Sequence, residues 1–179
     1  MVFVDTAGLA REDKEAAGIH NSREAGLVKR LVSELVTCGV EEKEIGVIAP
    51  YSAQVKFIKV IHNIAASDDT TLFLLTSQAK LESAHSCVEV GTVDQYQGRD
   101  KLVIIYSCTR SNDGRGQGAG HILLDTRRLN VAVTRAKAKL VIVGDRASLS
   151  RDYAPFVKLS SFFKESDVIK LTNNEIDSN

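Results

Sequence analysis

"RRLNVAVTRAKAKLVIVGD", residues 127–145, contains the change of period that decides the fold. Leu129, Ala132, Val133 and Ala136 recur at helical spacing and make one apolar face toward a sheet. Asp125 stands where it can cap a helix beginning at Thr126. From Lys139 the residues Leu140 to Val143 form an unbroken apolar run, as in a strand buried on both faces. The same stretch poses a chemical question. Arg128 and Arg135 are seven residues apart, two helical turns with an offset of about 20°. Both therefore project from the side away from the sheet, and cations so near a core need partners. Solvated arginines on a surface helix satisfy this spacing. Contact with phosphate also satisfies it, because a guanidinium is planar and permanently charged.

Outward from this stretch, apolar runs alternate with amphipathic ones. Val2–Asp5 is a short strand, followed by a polar loop through His20. "NSREAGLVKRLVSELVTCG" predicts a helix capped by Asn21, with Glu24 completing a capping box and Gly39 ending it. "IGVIAP" (45–50) is a buried strand, and Ser52 is placed to cap the next helix. "CVEVGTV" (87–93), "KLVIIYSC" (101–108) and "KLVIVGD" (139–145) are strands on composition. "PFVKLSSFFKE" predicts a short helix and "DVIKL" a last strand. The segment 67–86, with "TLFLLT", fits either a strand or part of a helix. Short apolar strands separated by helices predict an α/β fold, a parallel sheet with helices on both faces. Ligands in such sheets collect at the carboxyl ends of the strands. Pro50-Tyr51-Ser52, Thr92-Val93-Asp94 and Ser107 to Asn112 all fall at such ends.

Composition narrows the class. The 179 residues are 44% hydrophobic and 26% charged, which describes a globular chain and not a disordered one. No apolar run is long enough to span a membrane, and no secretory leader is visible. The strand-like Val2-Phe3-Val4 directly after Met1 suggests a chain cut from something longer. With 23 basic and 23 acidic residues the net charge is zero, so no whole-molecule field attracts nucleic acid. Between Arg110 and Lys139, however, seven Lys or Arg face two Asp, a local excess that could meet phosphates. Cys38, Cys87 and Cys108 are scattered, and the four histidines make no H-E-x-x-H, so no zinc site or disulfide framework is expected.

Two further segments carry candidate chemistry. Asp94 to Asp100 join two buried strands; Gln97-Gly98 would bring backbone close to a ligand, and Asp100 could accept bonds from a pair of sugar hydroxyls. A plain loop is the competing reading. The glycine-rich "SNDGRGQGAGH" (111–121) matches neither G-x-x-x-x-G-K-[ST] nor G-x-G-x-x-G, so it is expected to be a mobile loop. With no Walker A motif, the chain cannot by itself cradle the α and β phosphates of a nucleotide.

Taken in order, "IGVIAPYSAQ", "VEVGTVDQYQGRDKLVIIYSCTRSN" and "RRLNVAVTRAKAKLVIVGD" resemble motifs IV, V and VI of superfamily-one helicases. They match the Upf-like branch that translocates 5′ to 3′. Within it, "TVDQYQGRDK", "NVAVTRAKAKL" and the "VFVDT…NSREA" entry are most similar to the eukaryotic DNA replication ATP-dependent helicase/nuclease (Dna2-type) family. The resemblance implies a second RecA-like motor domain over residues 1–171, lacking its own Walker A, with 172–179 a frayed tail. It implies that Arg135 reaches the γ-phosphate of ATP and is catalytic. Gln97 and Gly98 would form the turn between nucleotide and nucleic acid. Asp100 stands where relatives carry a glutamate that bonds the ribose, one methylene longer. Tyr51, Ser52, Thr92 and Asp94, beside Pro50, would approach the strand backbone.

The resemblance also implies partners outside the chain. ATP and its magnesium are shared with a first RecA-like domain that supplies the Walker motifs and the Gln-Tyr-Arg-Met-His-Pro element, none of which occurs here. An iron–sulfur cluster belongs to a nuclease domain that is likewise missing. Single-stranded or flap DNA and a single-stranded-DNA-binding protein are the expected partners, and no membrane is. The expected work is flap processing in replication and resection of broken ends, in the nucleus, with the mitochondrion as a second compartment. Alone, the chain is expected to show no helicase, ATPase or nuclease activity. An Upf-like RNA helicase and a catalytically silent binding module are the alternatives.

Overall fold

The computed structural model describes residues 1–6, 8, 11–15, 18–62, 86–96, 98–111 and 121–172. Their order is β1 (Val2–Asp5), β2 (Asp13–Glu15), β3 (Gly18–His20), α1 (Ser22–Thr37), β4 (Ile45–Ala49), α2 (Ser52–Ile61), β5 (Glu89–Thr92) and β6 (Lys101–Ser107). There follow α3 (His121–Leu124), α4 (Thr126–Thr134), β7 (Ala136–Gly144), α5 (Arg146–Asp152), α6 (Ala154–Ser160) and β8 (Val168–Lys170). Six strands form one sheet in the order β5-β4-β6-β7-β1-β8, and every pairing in it is parallel. All carboxyl ends therefore lie along one edge and all amino ends along the other.

Successive residues of a strand point to opposite faces, and here both faces are apolar. Phe3, Ile48, Ile104, Tyr106, Leu140 and Ile142 pack with Leu129, Leu149 and Phe156 from α4, α5 and α6. Val4, Val47, Ala49, Ile105, Val141 and Val143 pack with Ala25, Val28, Val32, Val55 and Ile58 from α1 and α2. Each buried Val, Ile, Leu or Phe side chain contributes about 1.5–3 kcal/mol over its exposed state, so these two layers dominate the stability. This is the RecA-like α/β arrangement expected from the sequence.

Several expectations need correction. The loop read through His20 contains the antiparallel β2–β3 hairpin, whose strands of three residues each are too short to show a period. Asn21 does cap α1, accepting from the Glu24 N–H at 3.0 Å, but Glu24 does not complete a capping box. Gln54 Oε1 holds the Asn21 N–H at 2.8 Å instead, and Glu24 is buried. Ser52 is the first residue of α2, and its cap position is Tyr51, without a side-chain bond. Asp125 caps α4 as expected, but α4 ends at Thr134 and β7 begins at Ala136, where pairing with Lys101 draws the chain into the sheet. Arg135 thus lies at the junction of helix and strand. Gly39, at φ 92°, ends α1 as expected. The expectations for 67–85, for Gln97, for 112–120 and for the tail from 173 lie outside the described residues.

Candidate functional site

The candidate residues divide between the two edges of the sheet. At the amino edge, Arg135 precedes β7 and Asp100 precedes β6, and the Lys101 N–H donates to the Arg135 carbonyl at 3.0 Å. Arg135 is one-quarter exposed, and each nitrogen of its guanidinium is engaged. Nη1 meets Asp100 Oδ1 at 3.0 Å, Nε donates to the Val131 carbonyl at 3.2 Å, and Nη2 to Thr134 Oγ1 at 3.3 Å. Gly98 has φ 81° and nothing within 4 Å of where a Cβ would stand. Its glycine is thus required by the left-handed turn rather than by crowding.

The connector between β5 and β6 crosses from one edge to the other along α4. It leaves β5 at Thr92, whose N–H donates to Gln95 Oε1 at 2.9 Å. Tyr96 then plunges into the core and donates from its hydroxyl to the Glu89 carbonyl at 2.6 Å. A Cβ on Gly46 would lie 2.5 Å from that hydroxyl, so Gly46 makes room for it. Two ion pairs fasten the connector to α4, one near each edge: Arg128 Nη2 to Asp94 Oδ2 at 3.1 Å, and Arg135 to Asp100. Arg128 also lies 3.8 Å from Asp125. The opening question has an answer in this chain: both arginines hold carboxylates.

At the carboxyl edge the exposed candidates Ser52 and Asp94 and the partly exposed Tyr51 and Thr92 sit above a buried polar network. Glu24 Oε1 accepts from Ser107 Oγ at 2.6 Å and from the Thr109 N–H at 2.8 Å. Gln54 Nε2 donates to Ser107 Oγ at 3.0 Å, tying α2 to the end of β6. Thr109 is held at φ 69°, a left-handed value unusual for a β-branched residue. Burial pushes the Glu24 carboxyl up to about 7, against the lowering pull of the Ser107 hydroxyl and the Thr109 N–H. Its Oε2 has no hydrogen-bond partner among the described residues. Next along the chain from Thr109, Arg110, 1% exposed, meets Glu12 Oε2 and Tyr153 Oη, each at 3.1 Å. Burial also raises the Tyr51 phenol well above its usual range, so it stays protonated.

The structure therefore brings Arg135, Asp100 and Gly98 together at one edge and Tyr51, Ser52, Thr92 and Asp94 at the other. The segments read as following strand ends, at 50–52, 92–94 and from Ser107, do share the carboxyl edge, and the motif residues Arg135 and Asp100 lie at the other. Three members of the basic excess from Arg110 to Lys139 are engaged within the chain, while Arg127, Lys137 and Lys139 are exposed. Arg110 is interior and paired, while Arg128 and Arg135 have acidic partners. Glu24 was read only as part of a cap, and Gln54, Arg110 and Tyr96 were not read as site residues. Nothing local marks which polar residue of an amphipathic helix turns inward, and Arg110 and Tyr96 lie outside helices and strands, where no period applies.

The model of the AAA domain family matches residues 1–147. The chain belongs to the AAA domain family. Among curated relatives, this AAA domain is 42% identical over 171 residues to the DNA replication ATP-dependent helicase/nuclease DNA2 of Bos taurus, covering 94% of the chain and 14% of that protein. It is 35% identical over 177 residues to the DNA replication ATP-dependent helicase/nuclease JHS1 of Arabidopsis thaliana, covering 98% of the chain and 12% of that protein. It is 34% identical over 169 residues to the Regulator of nonsense transcripts 1 of Dictyostelium discoideum, covering 94% of the chain and 12% of that protein. The AAA domain thus spans about one-eighth of the length of these relatives, and the helicase/nuclease resemblance read from three motifs extends along nearly all of it.

Proposed function

We propose that residues 1–171 are the second motor domain of an ATP-dependent DNA helicase/nuclease, with 172–179 as a tail, and that Arg135 acts on the γ-phosphate of ATP. The observation that carries this reading is the position of Arg135. It is a partly exposed, permanently charged group at the head of β7, held only by replaceable partners, in a chain similar throughout to helicase/nucleases. A guanidinium placed at the transferred phosphoryl group stabilises the charge that spreads over its oxygens. ATP is the substrate, and its remaining contacts come from a first RecA-like domain of the same protein. Among the described residues no group of His, Cys, Asp or Glu could hold a metal, so none is assigned to the magnesium of the ATP. The three cysteines, two exposed and one buried, do not converge on a four-thiolate site, and the iron–sulfur cluster is assigned to the nuclease part of the protein.

Single-stranded or flap DNA is the proposed track, with Tyr51, Ser52, Thr92 and Asp94 nearest its backbone and Gln97 and Gly98 at the turn between DNA and nucleotide. The proposed setting is replication and end resection in the nucleus and mitochondrion, alongside a single-stranded-DNA-binding protein. The test is ATP hydrolysis by the full-length protein, stimulated by single-stranded DNA or by RNA, as wild type and as Arg135→Ala. Turnover should fall about 10³-fold or more with ATP binding mostly kept. Near-normal turnover would make Arg135 scaffolding, and stimulation by RNA alone would move the protein to the RNA helicases.

A further inference from the structure

We propose that Asp100 is a positioning residue that holds Arg135 away from the phosphate until ATP replaces it, and is not a ribose ligand; this rests on the phosphate reading of Arg135. Three observations carry it. First, Asp100 is the only charged group on the Arg135 guanidinium among the described residues, the other two contacts being a carbonyl and a hydroxyl of α4. Reaching outward therefore means exchanging one anion for another. Second, the cations flanking Asp100 in sequence do not compete for it. Arg99 pairs with Glu89 Oε1, and Lys101 Nζ lies 3.1 Å from Glu89 Oε2 and donates to the Lys43 carbonyl at 2.6 Å. Glu89 occupies both, which leaves Asp100 to Arg135. Third, Asp100 is about half exposed (47%), so its carboxylate can return to water once released, while Arg135 keeps its anchors on Val131 and Thr134.

Such an exchange is feasible because a half-exposed pair is weak, typically 0.2–1 kcal/mol. A triphosphate presents more charge and accepts two parallel N–H bonds from one guanidinium. The carboxylate thus keeps the arginine in one place without opposing ATP strongly. In the resting pair Arg135 takes Asp100 Oδ1, so the aspartate is engaged with a cation before any sugar is present.

The test is kcat/KM for ATP in the full-length protein, as wild type, Asp100→Asn, Asp100→Glu, Arg135→Ala and the Asp100→Asn/Arg135→Ala double variant. Each is also assayed with 2′,3′-dideoxy-ATP. Removing the pair should raise kcat/KM about two- to fivefold, the range of an exposed ion pair. Asp100→Glu, which can re-form the pair, should return close to wild type. The gain should vanish in the Arg135→Ala background, and the ratio of ATP to dideoxy-ATP should be unchanged by Asp100→Asn. A fall in kcat/KM for ATP that disappears with dideoxy-ATP would restore the ribose role and overturn the proposal. No change in Asp100→Asn, or a gain that survives in the double variant, would also overturn it. Near-normal turnover of Arg135→Ala alone would instead sink the phosphate reading, in an arm that does not involve Asp100.

Discussion

The two edges of the sheet solve the same problem, placing arginines beside carboxylates, in opposite ways. At the carboxyl edge Arg110 and Glu12 are both nearly sealed from water, and Glu24 lies among Ser107, Thr109 and Gln54 with no exposure at all. At the amino edge Arg135 and Asp100 meet at a similar distance but remain partly solvated. Burial makes the first set costly to disturb, because a charge left without its partner cannot recover its hydration. Solvation makes the second set exchangeable. The buried edge can therefore set the shape of the loop that leaves β6, whereas a partner group that must let go belongs at the wet edge.

That contrast can be broken at three places with successively smaller effects. Arg110→Ala leaves the Glu12 carboxylate to Lys14 at 3.6 Å and the Ser111 N–H at 3.2 Å, and thermal or urea unfolding should show a loss toward the lower end of about 3–5 kcal/mol. A double Arg110→Met/Glu12→Gln variant should recover part of this, as a coupled pair does. If the single variant loses less than about 1 kcal/mol, the carboxyl edge is not sealed and the comparison fails.

Glu24→Gln tests the same edge through pH. The folded carboxyl is raised from 4.5 to about 7, chiefly by burial, so the folded state keeps a proton that the unfolded state releases. The stability this proton supports is complete below pH 4.5 and is lost as pH rises through about 7. Between those values Glu24→Gln should flatten the fall in stability by up to about 1.4 kcal/mol per pH unit. A slope equal to wild type would mean that Glu24 titrates normally.

The smallest effect belongs to Arg128→Ala. Its partners Asp94 and Asp125 are exposed, so the loss should stay within about 1 kcal/mol and shrink further in high salt. A larger, salt-independent loss would show that this solvated clasp, near the carboxyl edge, is as rigid as the buried pairs beneath it.

Which of these residues could be found from sequence follows from how local their signals are. The strands at 45–49 and 101–107 and the apolar part of β7 from Leu140 were legible because apolar runs have few alternatives, whereas the start of β7 at Ala136 was read as helix. Asp125 and Asn21 were legible as caps because capping involves only the next three residues. Arg135 and Asp100 were found through motifs, but not their mutual contact, which joins residues 35 apart in sequence across two strand starts. The β2–β3 hairpin was missed because three-residue strands carry no period. Glu24 was misread as half of a capping box because its spacing from Asn21 suits one, while the Ser107 and Thr109 groups that attract it lie more than eighty residues away.

The sequence by itself determined the α/β class, the two apolar faces and the presence of a charged connector and of two arginines seven residues apart. Those follow from hydrophobic period and local capping, which act over a few neighbouring residues. Only the tertiary structure decided which acid each arginine holds, which polar side chains are sealed, and that the candidates divide between two edges. Ion pairing and burial depend on distances in space between residues remote in the chain, and the parallel sheet sets those distances only once all six strands are in register.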